Sequence, residues 1–564
     1  MPEEPQPFLD CQPGDADNGR MRPGGYEDSQ PPMGSTSSGP EVSSAAARVV
    51  GSAEVTKGKT LRRGALSGLV FFAGIGSMAT EICASRLLAP YYGSSTMIWA
   101  NVIGLILIAL SIGYVLGGKI ADRWPNPRVL GMIVLAGAVL IAIVPFVARP
   151  FLAVTINGID KVSTGAVIGS FAASLILFVP PVLLLGMVTP FAIRIGIENV
   201  DKAGSTAGRI FALSTAGSLL GTFLPALLTI PLVGTQRTLL GTAALIAAAA
   251  VLLVGVRWLW VAIVLAALLA IPPGAVKATT GAIYEKESRY QFIQVAQEGP
   301  TRYLFLNEGF AVHSVWRPDT VLTGGEWDMF LTVPPLLGRP AAKIAILGNA
   351  AGTTARAFGV FYPETQIDGV EIDPAVSAVA RQYFGLGDNP KLTVHTADAR
   401  PFLLTTKERY DLIFIDAYRQ PYVPFYLATA DFFKLCRERL NPGGIVALNV
   451  STVPGDDRLS RSIAGTLATQ FPLVMKWPAL HFNQLVLGFS DAQPLPVLDL
   501  RAQNAPSQIL PLTKLLTANW SQVAPMAEYW TDDRAPVEWI TDRMIVSYGI
   551  SGKARGEVLL PTAP

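Results

Sequence analysis

Three carboxylates stand where three apolar runs end: Glu371 in DGVEID, Asp398 in HTADARPFL and Asp416 in DLIFIDAYRQP. Upstream, KIAILGNAAG closes another apolar run with the small-residue turn Gly348-Asn-Ala350-Ala-Gly352. Small residues let a backbone come close to a ligand. A carboxylate at the end of the following strand, 19 residues beyond Gly352, can accept both hydroxyls of a ribose. One acid at a strand end commonly just caps the next helix. Three in succession at one sheet edge point to a ligand site, because open α/β sheets bind ligands outside the carboxyl ends of their strands.

The elements that position these acids alternate as strand and helix, with strands expected at 343–348, 366–371, 391–395, 411–416, 444–450 and 484–489. Such alternation makes a doubly wound parallel sheet. The order of the acids is that of class I S-adenosylmethionine-type Rossmann-like folds, where the first meets ribose and the second the adenine amine. No G-K-[ST] follows the Gly348–Gly352 turn, which argues against a P-loop there. Ahead of this domain, SRYQFIQVAQ, the turn EGP and TRYLFLNEG read as a hairpin in a small β-rich subdomain.

Most of the first half is far more apolar. The 564 residues have a mean hydropathy of +0.40, half are hydrophobic, and only 15% are charged. The excess lies between Gly64 and Gly274, which predicts a multi-pass helical membrane domain joined to a soluble α/β domain. Spans are expected near 65–89, 97–117, 128–148, 166–190, 208–232 and 237–256. Trp258–Ile271, at 14 residues, fits an interfacial helix as well as a seventh crossing. The segment boundaries are then a tail at 1–60 that lacks the means to bury a core, membrane helices at 61–274, the β-rich subdomain at 275–340, the Rossmann-like domain at 341–545 and a tail at 546–564. Lys57, Lys59, Arg62 and Arg63, then Lys119, Arg123 and Arg128, then Arg194, Lys202 and Arg209 put the N-terminus and alternate loops in the cytoplasm. Six crossings leave the soluble half there and seven put it outside; supply of a cytosolic nucleoside favours the cytoplasm. Glu81 with Arg86 inside the first span, and Gly217-x-x-x-Gly221, are read first as packing features, though an intramembrane charge also raises function. GYVLGGKIADRWPNPR resembles the loop between helices two and three of major-facilitator transporters. A net charge of +2 gives no case for nucleic acid, and three scattered cysteines with three histidines indicate neither disulfides nor a metal site.

The strings YQFIQV, LFLNEG, GVEIDPAVSAVARQYF, TADARPFL, YDLIFIDAY and LNPGGIVALNV together resemble spermidine synthases, the polyamine aminopropyltransferases. The whole chain is similar to bacterial fused transporter-like/spermidine synthase proteins. The resemblance implies decarboxylated S-adenosylmethionine, or S-adenosylmethionine itself, as co-substrate, an amine or other small-molecule acceptor, a lipid bilayer as surroundings, and leaves a homodimer open. It implies that Gln291 meets the nucleoside with Gly348, Ala350 and Gly352, that Glu371 holds ribose and Asp398 adenine, and that Asp416 takes the proton of the attacking amine. Trp327, Asp328, Tyr418 and Tyr422 would line the acceptor site. The chain departs from that family's pattern at Ala351, where the glycine loop carries an acid, at Glu326-Trp-Asp-Met329 in place of Tyr-Gln-Glu-Met, and at Arg419-Gln420, where a second acid is expected. A methyltransferase, or a nucleoside-sensing module of a transporter-like protein, therefore stays open beside the aminopropyltransferase.

Overall fold

The computed structural model describes residues 45–92, 96–158, 163–197, 200–272, 280–307, 311–418 and 422–550. Residues 1–44, 551–564, Arg149, Lys161, Arg419 and Gln420 carry expectations that lie outside the described backbone or side chains. The backbone of 45–59 is helical where a structureless tail was expected; its alanine-rich start, SAAARVV, favours that conformation.

Among the described residues, five helical runs are long and apolar enough to cross a membrane: Gly64–Tyr92, Ile98–Arg123, Pro127–Ala148, Val179–Gly196 and Val200–Val254. The expected fourth span is not one rod. It breaks at Phe178 and again at Met187, beside Pro180, Pro181 and Pro190, which withhold backbone donors. The 55-residue run is two helices. Its first part ends at Leu224, a π turn follows over Pro225–Thr229, and Gly234 leaves the helix entirely at φ 84°. Gly255, at φ 108°, then turns the chain into the short apolar helix Val256–Ala270. The Gly217-x-x-x-Gly221 pair does serve packing. A Cβ on Gly217 would lie 2.0 Å from the Phe71 carbonyl oxygen, and one on Gly221 2.3 Å from that of Ile75.

The soluble half opens with four antiparallel strands in sequential order: β1 (Ala282–Glu287), β2 (Phe292–Glu298), β3 (Thr301–Leu306) and β4 (Val312–Trp316). The sequence reading found β2 and β3. It missed β1, whose AIYEKE lacks alternation, and β4. Ile293, Val295, Leu304 and Leu306 pack this sheet onto Val376 and Val379 of the helix Pro374–Tyr383 and onto Phe384, which caps it.

The second sheet comprises β5 (Lys343–Leu347), β6 (Gln366–Glu371), β7 (Leu392–Thr396), β8 (Tyr410–Ile415), β9 (Leu440–Ser451), β10 (Leu473–Trp477), β11 (Asn483–Phe489) and the two-residue β12 (Ser521–Gln522). Their order is β12-β10-β11-β9-β8-β5-β6-β7. β5 to β9 are mutually parallel, as expected; β10, β11 and β12 add an antiparallel flank. All six residues of β8 are buried, between helices on both faces. Each such aliphatic or aromatic side chain contributes about 1.5–3 kcal/mol. The parallel strands thereby deliver the ends of β5, β6, β7 and β8 to one edge.

Candidate active site

At that edge the loop after β5 is folded tightly against the turn after β8. Gly348 stands at φ 91°, and a Cβ there would fall 2.5 Å from the Asp416 carbonyl oxygen and 2.6 Å from the Ala417 Cα. The N–H groups of Gly348 and Asn349 donate to the Val370 carbonyl, and that of Asp416 donates to Leu347. Ala350 holds a left-handed φ of 43°, uncommon for a residue with a side chain. Gly352, at φ 82°, ends the loop and starts the helix Thr353–Phe361.

Glu371 is buried and fixes this loop. One oxygen accepts from the Ala350 N–H and the other from the Asp373 N–H, each at 3.0 Å. Burial pushes its carboxyl up to about 7, against the pull of those two N–H groups. Each oxygen still has a lone pair to offer, so the residue suits a pair of hydroxyls. Asp398 caps the helix Ala399–Thr405 through the Arg400 N–H at 3.1 Å and accepts the Tyr426 hydroxyl at 2.8 Å. The capping role expected of a strand-end acid is therefore real here, with acceptor capacity left over. Gln291 lies at a turn set by Ser288, whose hydroxyl accepts the Tyr290 and Gln291 N–H groups and donates to Asp373, two residues beyond Glu371.

Asp416 is partly open to the cleft. Its Oδ1 accepts from the Asn449 side-chain amide at 2.9 Å, and among the described residues Oδ2 has no hydrogen-bond partner. Burial pushes its carboxyl up to about 7, the Asn449 amide pulling the other way. Opposite it stands Glu326, which no sequence argument singled out as a charge in the site. The Phe330 and Phe414 rings meet with centroids 4.8 Å apart. Glu326 lies one helical turn before Phe330 and Asp416 two residues beyond Phe414, so each acid follows its ring onto the same side. Burial, then the neighbouring Asp416 charge, push the Glu326 carboxyl up to about 8. The signal in the sequence was the run Glu326-Trp-Asp-Met329 itself, but only the ring contact says where its first residue points.

The four proposed acceptor residues divide. Tyr418 sits by the two acids; its hydroxyl donates to the Asn449 carbonyl at 2.7 Å and accepts the Ser451 N–H at 2.8 Å, which fixes the turn after Asp416. Burial and then the Asp416 charge raise its phenol above the usual range. Tyr422 donates to Asp542 in the last helix, Val537–Ile550. Trp327 is buried against Val312 and Val315 of the small sheet. The Asp328 carboxylate is taken up by the Thr323 and Gly324 N–H groups, at 2.9 and 2.8 Å, and by the Thr323 hydroxyl. Ala351 is buried, and its N–H donates to the Ser314 hydroxyl at 3.0 Å, so that part of the loop presents no charge.

Residues 327–479 match the family described as the spermine/spermidine synthase domain. Over these residues the chain is similar to that family. A probable polyamine aminopropyl transferase of Bifidobacterium longum is 36% identical over 194 residues, 34% of this chain and 43% of that protein. The polyamine aminopropyltransferase of Vibrio vulnificus is 34% identical over 123 residues, 21% of this chain and 41% of that protein. The chain thus spans less than half the length of these relatives. A crystal structure of a probable spermidine synthase from Corynebacterium glutamicum aligns at 17% identity with a TM-score of 0.35, over 46% of this chain and all of that one. Glu326 falls one residue before the matched region, and the four-stranded sheet lies wholly outside it.

Removal of the Glu371 carboxylate strips the α/β domain of a loop anchor and, if the acid holds a nucleoside as expected, of a ligand acceptor. Glu371→Ala should weaken the affinity of the full chain for methylthioadenosine by about 1–3 kcal/mol in calorimetry. Wild-type affinity in both Glu371→Ala and Asp398→Ala would remove these two acids from the nucleoside site.

Proposed function

We propose that the chain is a membrane-bound transferase that moves a group from a sulfonium nucleoside, decarboxylated S-adenosylmethionine in the first instance, to an amine. The observation that carries this reading is that Asp416 and Glu326 lie on the same side of the cleft, beside the loop after β5. An alkylammonium has a pKa near 10 and has to shed a proton before its nitrogen can attack a carbon next to positive sulfur. Asp416, fixed by Asn449 and with one oxygen unengaged among the described residues, orients the amine and takes that proton. The nitrogen–carbon bond forms as the carbon–sulfur bond breaks, and sulfur leaves as a neutral thioether. Glu326 adds a second negative charge for the cation once it ionises. The relatives' names, polyamine aminopropyltransferase, agree with an amine acceptor and with a place in polyamine biosynthesis. The five long apolar helices support the membrane.

A second reading, methyl transfer from intact S-adenosylmethionine, is favoured by one observation: Ala351 leaves the loop without a carboxylate for an aminopropyl ammonium. The test is incubation of the purified full chain in detergent with either nucleoside and a panel of amines, with products weighed by mass spectrometry. Aminopropylated amine supports the first reading and methylated product the second. Binding of nucleoside with no product from either leaves a sensing module.

The carboxylate pair makes the pH profile diagnostic. Asp416 has to be ionised to take a proton, so the rate should rise as pH passes through about 7. A second inflection near pH 8 should follow as Glu326 ionises and draws the cation more strongly. Glu326→Gln should erase the second inflection, leave the first in place and raise the KM for amine. An unchanged two-step profile in that variant removes Glu326 from the acceptor site.

A further inference from the structure

We infer that the synthase domain stands on the face of the bilayer turned away from the cytoplasm, seated in the break of a membrane helix. The inference rests on reading the apolar helices as spans, not on the reaction proposed for the cleft.

The helix contacts sort the span ends into two sets. Asp122 and Arg194 form an ion pair at 2.8 Å, so the end of the second span meets the end of the fourth. A Cβ on Gly196 would touch Ile210, Thr206 and Leu66, and one on Gly131 would touch Leu253 and Val254. Leu66, the 122–131 turn, the 194–210 turn and Val254 therefore share one end of the bundle. At the other end, Gly169 lies against the Tyr92 ring and Asn101 donates to the Ser170 hydroxyl at 3.2 Å. The break at Pro225–Gly234 belongs to this second end, because a helix runs from it back to Val254.

The synthase domain holds on to the second end. The Glu287 carboxylate, at the close of β1, accepts the Thr235 N–H at 3.0 Å and the Thr235 hydroxyl at 2.5 Å. It caps from outside the helix that restarts after Gly234. Arg86, one turn and a half before Tyr92, donates to the Arg289 carbonyl. The last helix of the chain, Val537–Ile550, packs on the helix Ser163–Leu177. Because Val254 is at the first end and Glu287 at the second, the segment between Gly255 and Ala282 has to run the length of the 235–254 helix, about 30 Å at 1.5 Å per residue. The short helix Val256–Ala270 is therefore the seventh crossing.

Charge then fixes which end is which. Among the described residues the first end carries Arg62, Arg63, Lys119, Arg123, Arg128, Arg194, Lys202, Arg209 and Arg257; the second carries Arg86 and Arg237, with Lys286 and Arg289 of the domain seated there. Basic residues flanking spans stay in the cytoplasm. The second end faces out, and the domain with it. This departs from the cytoplasmic placement that nucleoside supply suggested. A domain so placed draws its amine from the far side, and a sulfonium nucleoside used there has to be carried across first.

The test uses the full chain in intact cells, in a Cys11→Ser background, since Cys83 and Cys436 are buried. Single cysteines are placed at exposed sites of the domain, Lys407→Cys and Asp499→Cys, and of the first end, Lys202→Cys. A membrane-impermeant maleimide should label the two domain positions before lysis and Lys202→Cys only after it. Protection of both domain positions, or labelling of Lys202→Cys before lysis, overturns the inference. Transfer activity measured in detergent, where sidedness is lost, is unaffected by this result, so the two readings fail separately.

Discussion

Asp416→Asn should keep nucleoside affinity and lose turnover by on the order of 10²–10⁴-fold, the range for loss of a general base. The substitution is close to isosteric. An asparagine oxygen at this position can still accept from the Asn449 amide, so the turn after β8 should hold its shape. What disappears is the only atom the reaction needs here: a carboxylate oxygen able to take a proton from nitrogen. The measurement is a single-turnover assay of the full chain in detergent at saturating nucleoside, with the amine that reacts best with wild type. Equal rates would relegate Asp416 to a structural capping role, for which asparagine is just as good. A parallel change, Asn449→Leu, tests the same logic from the other side. It removes the interaction that holds the Asp416 carboxyl down, so the acidic limb should move to higher pH.

Gly348→Ala is the second large effect. The methyl would land 2.5 Å from the Asp416 carbonyl oxygen and 2.6 Å from both the Ala417 nitrogen and Cα. None of these is a flexible side chain that could swing aside. The φ of 91° adds backbone strain of about 1–3 kcal/mol for any residue with a Cβ. Relief requires the β5 loop to lift away from the β8 turn, which separates the nucleoside half of the cleft from Asp416. The expected result is a lower unfolding temperature together with loss of both methylthioadenosine binding and transfer. Gly387→Ala is the control, since a Cβ there meets nothing within 4 Å. If the two variants behave alike, the loop is more pliable than its contacts indicate.

The sequence carried the parallel sheet and its edge plainly, because buried parallel strands read as short apolar runs and their closing acids stand out. Strand ends near Leu347, Glu371, Thr396 and Ile415 fall within a residue of where patterning puts them. β10 was not legible: LVMKW is five residues long and follows a helix with little punctuation. β1 was hidden by its charges, one of which, Glu287, finds its partner, Thr235, in an apolar helix of the first half. The breaks at Phe178 and Gly234 were masked by uniform hydrophobicity, which records an apolar setting but not the course of the backbone. In the cleft, Glu371, Asp398 and Asp416 were visible by position on strands. Glu326 was not, because its direction is set by a ring contact across more than eighty residues. Conversely, Trp327 and Asp328 drew attention through their motif, yet the ring packs and the carboxylate holds a turn.

The glycine contacts between the first span and the helix Ala203–Leu224 have a mechanical consequence. Gly74, Gly217 and Gly221 bring backbone against backbone, with no space for a methyl group on any of them. Such close approach supplies dispersion between apolar helices, the kind of contact that helices would rely on in lipid, where side-chain hydrophobicity drives nothing. It also locks the register. Sliding the second helix by one turn in either direction would bring Leu213 or Pro225 to a place where hydrogen alone fits. These two helices are therefore a clamp rather than a bearing, and any rocking of the bundle has to pivot around them as one rigid piece.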